Sequence, residues 1–468
     1  MAYAAWLEPE IKNSEKPTTF INIPLASDYV DFAYLATTGS CIQTHLRWSI
    51  SILRDGGKPN RSWFSHKSLL ISLNQQSNLN IGKALGTAIS TNNPKLLVSS
   101  SYWKFSAFKK FDVRRKWRNW ARFDDLLYPI AFESSIDVDW RLYTSSNLGR
   151  VGSFLELLCT LLPLYLPVVF LEGFLLCRKS VLDLSLYRPK AMFSANALNG
   201  NLVFKVLAAE WQKEGTKLLY SQHGGGYGID KYHIVEEYET RVSDCFYTWG
   251  WTRADRVVRP LAPPLPRYSM NKTVNVLLMC CDYPKSIYRI HFQPMGDNVS
   301  KLHQETYEFL RYLKDHNKLL IRGYPVEYGW GAHRTIRITA PDSKFETTQP
   351  SPFVRYSQSQ LVVHNYLGTS YLETLALNIP TVCFYDPNMY SFRSEAQPFI
   401  NALINASILH YTGREAALFA TSIQDDPYCW WSKSDVQYAR SNFIHRFANF
   451  SENCSQHWEE EFQSQINE

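Results

Sequence analysis

The sequence predicts an α/β protein of two Rossmann-like halves, and three observations carry that expectation. Short apolar runs alternate with amphipathic stretches in β-α-β order up to residue 258. The same rhythm restarts at about residue 273. Between them, residues 259–268 hold four prolines. Strands alternating with helical segments argue for parallel sheets with crossover helices, and clustered prolines stiffen a connector and oppose regular structure. The expected organisation is a first domain over 1–258, a linker over 259–272 and a second domain over 273–468.

Length and composition agree. A chain of 468 residues is too long for one ordinary core. With 45% hydrophobic and 20% charged residues it has the balance of a globular protein. Its 14 Trp, 28 Tyr and 26 Phe fit a large core, and also fit carbohydrate or interface work. A formal charge of +6 is too mild to imply nucleic acid. Nine scattered cysteines form no CxxC pair and no zinc-type cluster, which reads as reduced intracellular thiols. The first residues carry acids and no apolar core of a secretory signal, so a cytoplasmic location is expected.

In chain order, residues 31–38 read as a buried strand leading into helical spacing over 44–53, an opening βα unit. Residues 56–84 are polar and carry no clear pattern. Over 102–123, eight Lys and Arg alternate with aromatic residues. That pattern fits an interfacial patch for anionic lipid or a lipid-linked acceptor, and it equally fits a solvated helix whose aromatic face enters the core. Residues 154–177 are apolar and long enough to cross a bilayer. Glu156 and Glu172 oppose insertion, and Pro163 and Pro167 would break a spanning helix. Two buried segments meeting near 163–167 are expected instead. Then follow a strand at 189–195, an amphipathic helix at 201–215 ending on Gly215, and a strand at 216–222. Beyond the prolines, strands are expected at 274–281, 318–325, 360–366 and 381–386, with helices at 301–317 and 370–378.

Ligands of such folds sit at the carboxyl ends of strands, which selects the loops to inspect. The strongest is Gln222-His223-Gly224-Gly225-Gly226-Tyr227-Gly228. Consecutive glycines let backbone approach a ligand or take positive φ, and His223 could act as a general base. A tight turn with a surface histidine is the plainer alternative. No P-loop or dinucleotide fingerprint is present. Glu236 and Glu239 share one face of a helix at i, i+3, so one of them could serve as base, nucleophile or acceptor anchor. Facing outward, they would be ordinary solvated charges. Trp249 and Trp251 could stack on a sugar or cover a junction.

In the second half, Arg322 follows a strand and could pair with phosphate. The run His364-Asn365-Tyr366-Leu367-Gly368-Thr369-Ser370 opens a helix carrying Glu373. Thr369, Ser370 and the free amides of that helix start would seat a phosphate, while Glu373 would accept from ribose hydroxyls. Plain capping is the other reading, with Ser370 as the cap and Glu373 completing a capping box.

These motifs resemble one family. QHGGGYG, E-x-x-E followed by SD and TWGW, RGYP with YGW, and H-N-x-x-x-T-S-x-x-E-x-L look like the transferases of O-antigen and surface-polysaccharide loci. LATT at 35–38 and LPLYLPVVFLEGF are similar to further segments of that family. The resemblance spans most of 33–450 and is dense over 189–390. The T-S-x-x-E helix is shared with capsular Kdo transferases and CDP-glycerol glycerophosphotransferases. The lead of about thirty residues and the basic-aromatic stretch depart from the pattern.

The resemblance implies a GT-B fold of two Rossmann-like domains facing across a cleft, the first binding acceptor and the second the activated sugar. It implies no bound metal and no cofactor beyond the nucleotide-sugar substrate. By position, Arg322, Tyr324, His364, Thr369, Ser370 and Glu373 would face the nucleotide, and His223 with Glu236 or Glu239 the reacting centre. The expected activity is glycosyl transfer from a nucleotide-activated donor, such as a CMP-linked acidic sugar, to a saccharide or lipid-linked acceptor. Peripheral contact with the inner membrane surface goes with such an acceptor, and no nucleic-acid partner is expected. A CDP-polyol phosphotransferase and a non-catalytic sugar-nucleotide-binding scaffold are the alternatives.

Overall fold

A computed structural model of the chain describes residue 53 and residues 58–59, 94–101, 120–122, 136–147, 154–184, 186–266, 268–284, 298–346 and 350–467. The expected opening unit at 31–53, the polar run at 56–84 and the basic-aromatic stretch at 102–123 lie outside these residues, apart from Leu53, Lys58, Pro59 and 120–122.

The described strands form two sheets. One contains β1 (Leu96–Ser99), β2 (Trp120–Arg122), β3 (Ala191–Ser194), β4 (Lys217–Ser221), β5 (Cys245–Thr248) and β6 (Val258–Pro260). The other contains β7 (Val274–Met279), β8 (Leu319–Arg322), β9 (Lys344–Phe345), β10 (Ser359–His364), β11 (Thr381–Phe384) and β12 (Leu409–His410). The pairings are parallel, so helices must carry the chain back between strands. The architecture is that of two Rossmann-like α/β domains, GT-B-like, as the sequence predicts. By compactness, the described residues through Thr216, Ser101 excepted, form one unit, and those from Lys217 onward form another.

In the first unit β1 pairs with β2 and β3, and the side chains of β1 and β3 are wholly buried, as apolar parallel strands require. The expected helix at 201–215 is Leu202–Lys213, with Asn201 accepting from the Phe204 amide and Gly215 at φ +92° beyond its end. The apolar stretch folds as α1's neighbour: α1 (Val138–Asn147) packs on α2 (Phe154–Tyr165), a 3-10 turn spans Val168–Phe170, and α3 (Phe174–Leu182) follows. The chain breaks at Pro167, near the expected point, but the segments are not fully buried. Leu155 is 66% and Leu175 75% exposed, which corrects that expectation. Among the described residues no helix is long and apolar enough to cross a membrane.

The break is held by Arg141 on α1. Its side chain is fully buried and forms a paired contact with Glu172, 2.6 Å to each carboxylate oxygen. Its remaining donor group reaches the carbonyls of Pro163 and Leu166, 2.8 and 3.0 Å away. Those carbonyls sit at a helix end where backbone donors run out.

The second unit contains the ordered sheet β12-β11-β10-β7-β8-β9. In chain order this is the 3-2-1-4-5-6 arrangement, whose switch point lies between β7 and β10. Leu277, Met279, Tyr356, Val362 and Ile379 form part of its core. The same unit holds β4, β5 and β6, paired in that order, and the helices α4 (Ile234–Val242), α5 (Asn298–Tyr312), α6 (Pro352–Gln358), α7 (Thr369–Ala376), α8 (Ser434–Phe447) and α9 (Cys454–Asn467).

The proline stretch, expected as a stiffened connector opposing regular structure, begins inside a strand. Val258–Pro260 is strand β6 beside β5, and Pro264 bridges to Ser451. Proline is tolerated there because its missing amide falls at a strand end, while Pro263 and Leu265 still exchange backbone hydrogen bonds with Ser451. α9 is tied to the same place: Trp458 donates to the Ala262 carbonyl at 2.8 Å, and Glu461 accepts from Tyr247 and Arg259, each at 2.8 Å.

Replacing Arg141 by Ala should cost about 3–5 kcal/mol of stability in urea unfolding, because it strands a partly buried carboxylate. Changing Glu172 to Gln as well should recover part of that loss. Unfolding indistinguishable from the unchanged protein in the single variant would refute a holding role for the pair.

Candidate functional site

The glycine loop leaves β4 through Gln222, a buried side chain with every polar atom used. Its Oε1 accepts from the Trp249 amide at 3.0 Å and from the Trp251 indole at 2.8 Å. Its Nε2 donates to the Gly224 carbonyl at 2.9 Å. One amide side chain thus ties the loop to the TWGW turn after β5. Both tryptophans are buried, so they serve that turn and not an exposed stacking face. Gly226 accepts through its carbonyl from the amides of Ile229 and Asp230, closing the loop. Gly228 has φ +71°, and a Cβ there would lie 2.4 Å from the Trp251 ring, so only glycine fits.

α4 follows with His233 as its cap, whose Nδ1 accepts from the Glu236 amide at 3.0 Å. The i, i+3 spacing of Glu236 and Glu239 puts both on one face, as expected, and that face is fully buried. Glu236 Oε2 accepts from the Gly228 amide at 2.7 Å, while Oε1 meets Arg393 at 2.8 Å and Arg253 at 3.3 Å. Glu239 Oε2 accepts from the Tyr227 hydroxyl at 2.8 Å. Burial, reinforced by Glu239, pushes the Tyr227 phenol well above its ordinary value, so it keeps its proton. His223 Nδ1 lies 3.1 Å from the same phenol oxygen. With the phenol proton given to Glu239, that oxygen accepts from Nδ1–H, which leaves the lone pair on Nε2. The His223 side chain is 17% exposed.

The second half of the site starts at the end of β10. α7 has Gly368 at its cap position, with no side chain capping the helix amides. The capping-box alternative does not form. Ser370 gives its hydroxyl to Tyr366, 2.8 Å away, and lies 3.1 Å from His364 Nδ1. Glu373 accepts from the Tyr356 hydroxyl at 3.2 Å. Thr369 Oγ1 accepts from the Gly225 amide at 3.0 Å. A Cβ on Gly225 would fall 2.6 Å from the Gly368 carbonyl carbon and oxygen, and one on Gly224 would fall 3.3 Å from Thr369 Oγ1. The glycine loop and the helix start are therefore in backbone contact, beside the switch point of the second sheet.

Two residues expected at the nucleotide have other partners. Arg322 is buried, pairs with Glu346 at 3.1 Å and donates to the Pro350 carbonyl at 2.7 Å. His364 is fully buried, with Nε2 3.1 Å from Thr374 Oγ1, and burial lowers it to about 3. It is a neutral ring behind the helix start. Tyr324 lines a small cavity with Cys281, Asp282, His303, His333 and Asn365 at the ends of β7, β8 and β10. Asp282 Oδ1 sits 3.0 Å from His303 Nε2 there. Among the described residues no three His, Cys, Asp or Glu side chains converge as a metal-binding group.

Sequence reasoning missed Gln222 as an organiser, although it stood inside the quoted motif. It also missed Asp230, Arg253, Tyr390 and Arg393, which come from segments with no recognisable pattern of their own.

Comparison with known proteins adds the following. Over a shared region the fold is similar to S. aureus TarM, solved in complex with Fondaparinux, alpha-GlcNAc-glycerol and UDP, at 11% identity and a TM-score of 0.36, covering 59% of this chain and 55% of that one. It is similar to Anabaena HepE, solved with UDP and glucose, at 12% identity and a TM-score of 0.41, covering 79% and 100%. It is also similar to Acinetobacter baumannii MurG, at 12% identity and a TM-score of 0.40, covering 79% and 99%. Similarity at this level says nothing about chemistry. No curated protein matches the sequence. A family model does: that of the LIC12162 family transferases matches residues 32–462.

Burial raises the carboxyls of Glu373 and Asp230 to about 7 each, above the ordinary range of about 4. The folded chain keeps these protons where the unfolded chain has lost them. The stability they support is complete below about pH 4 and is withdrawn as pH rises through about 7. Thermal melts across that window should show Glu373→Gln and Asp230→Asn each losing less stability with rising pH than the unchanged protein. Parallel curves for all three would remove these carboxyls from the pH response.

Proposed function

Since the chain belongs to the LIC12162 family of transferases, we propose that it is a glycosyltransferase whose nucleotide-activated donor sits where the glycine loop meets the start of α7. One observation carries the reading. The Gly225 amide lies on Thr369 Oγ1, and neither Gly225 nor its neighbour Gly368 has room for a side chain. Uncapped helix amides and an adjoining glycine backbone make a seat suited to phosphate, with the helix dipole favouring negative charge.

His223 is the base. The acceptor hydroxyl attacks the anomeric carbon, its proton passes to His223 Nε2, and the bond from that carbon to the donor phosphate breaks. The phosphate leaves with the bonding pair and its charge is met by the amides of the seat. Tyr227 and Glu239 orient the imidazole through its Nδ1 side. Glu236 holds the loop and does not react. Glu373 takes the ribose, while Arg322 and His364 support the seat from behind. In domain terms 1–258 serves the acceptor, 259–272 links, and 273–468 serves the donor. The acceptor is a saccharide or lipid-linked saccharide of surface-polysaccharide assembly, met at the cytoplasmic membrane face. The exposed apolar residues of α2 and α3, Leu155, Leu162, Phe174 and Leu175, support peripheral contact there.

A thermal-shift screen with CMP, CDP, UDP, GDP and dTDP tests the reading. One of them, at 100 times its dissociation constant, should stabilise the protein by about 2.7 kcal/mol. Gly225→Ala should abolish that shift. His223→Ala should keep it while lowering transfer by about 10²–10⁴-fold. Stabilisation by CDP alone, with transfer of a polyol phosphate, would favour the phosphotransferase. Nucleotide binding with no turnover from any donor would favour the scaffold, and no shift from any nucleotide would refute all three.

A further inference from the structure

The loop after β11 carries a short strap, residues 390–393, that no motif in the sequence announces. It pairs antiparallel with the end of the glycine loop through a bridge between Asp230 and Phe392. The Lys231 amide donates to the Ser391 carbonyl at 2.8 Å, and the Arg393 amide donates to the Ile229 carbonyl at 2.9 Å. The Arg393 side chain adds two contacts: Nε donates to the Asp230 carbonyl at 3.0 Å, and Nη2 donates to Glu236 Oε1 at 2.8 Å. At the strap's other end the Tyr390 hydroxyl accepts from the Leu367 amide at 3.3 Å, one residue before the cap of α7.

We propose that this strap sets the spacing between the two halves of the site, with Arg393 as the positioning residue of the glycine loop and Tyr390 that of the helix start. The inference rests on the reading that these halves form one ligand seat. Each half leaves a different sheet, and their direct contact in this region includes the single bond from Gly225 to Thr369 Oγ1. A hydroxyl on a rotatable side chain defines such a spacing poorly. The strap grips both halves from one short segment, bridged at Phe392 and bonded on either side of it. Arg393 does so through a planar fork that fixes direction as well as distance. Glu236 makes the grip consequential: its other oxygen takes the Gly228 amide, so a displacement of Arg393 is passed to the loop through one buried carboxylate.

Hydrogen exchange on the full chain, read by mass spectrometry, tests this directly. Arg393→Met removes two charge-assisted hydrogen bonds, and losing even one of them is worth about 1.4 kcal/mol, or tenfold in a local opening equilibrium. In Arg393→Met the peptide over 222–233 should therefore exchange about tenfold faster, while β7 amides over 274–280 stay within about twofold. Arg393→Lys should fall between, since an ammonium keeps attraction without the fork. Tyr390→Phe should speed exchange over 365–372 and leave 222–233 unchanged. Unchanged exchange over 222–233 in Arg393→Met would overturn the proposal. So would acceleration spread equally over 274–280, which marks a general loss of stability. If Arg393→Met does not fold, Arg393→Lys is read by the same criteria. Binding of the five nucleotides to the unchanged protein is scored separately. Its absence would sink the seat, while the exchange pattern would still decide the strap.

Discussion

The site depends on one buried carboxylate. Glu236 is fully excluded from solvent, and an unpaired ion there would be very costly. It is stable because donors surround it: the Gly228 amide on one oxygen, and the Arg393 and Arg253 guanidiniums on the other. Its place in the first turn of α4 adds the favourable end of the helix dipole. Remove the carboxylate, and two arginines and a loop amide lose their common partner. What reads in sequence as a possible base is, in the folded chain, the fixed point from which the loop is hung.

From that point the rest of the loop follows with little freedom. Gln222 ties its start to the TWGW turn, and Glu239 holds its middle through Tyr227. Between those anchors Gly224 and Gly225 are pressed on the start of α7, Gly225 too close for any side chain. Rigidity in such a loop would favour the proposed anion seat, because backbone amides bind best when they already point at the ligand. An amide that had to turn first would spend its binding energy on ordering. The three anchors come from three kinds of group: a neutral amide, a buried carboxylate pair and a phenol that keeps its proton. Together they fix the loop on which His223 stands, with the Tyr227 hydroxyl 3.1 Å from its Nδ1.

Legibility in the sequence divides along physical lines. Most strands between 189 and 386, and the helices at 201–215, 301–317 and 370–378, were readable because burial imposes a period of 2 or 3.6 on the local sequence. β3, β4, β7, β8 and β11 fall inside the expected runs, and β10 begins one residue early, at Ser359. The glycine loop and the start of α7 were readable because turns and helix starts use few residue types. Roles were not. Arg322 looks like a phosphate ligand until Glu346, 24 residues on, is seen to take its guanidinium. His364 looks like a site residue until burial leaves it neutral between Ser370 and Thr374. Arg393 and Asp230 are 163 residues apart and meet only through topology. The proline run misled in the opposite sense. Prolines exclude the interior of a sheet, not its edge, and there the Ser451 amide donates to the Pro263 carbonyl while its carbonyl accepts from the Leu265 amide.

The arrangement behind α7 bears on what this seat can and cannot select. His364 is held neutral and turned toward hydroxyls, so no fixed positive side chain backs the helix start from that position. If the helix start seats a phosphate as proposed, charge complement falls to backbone amides and the dipole, which treat one nucleotide phosphate much like another. Discrimination among donors needs side chains with direction. The structure offers a set of them a few residues away at the ends of β7 and β8, where Asp282 and His303 are paired and Tyr324 and His333 line the same small cavity. On the proposed reading, the backbone seat would hold what all activated donors share, and the polar side chains of that cavity would meet what differs between them.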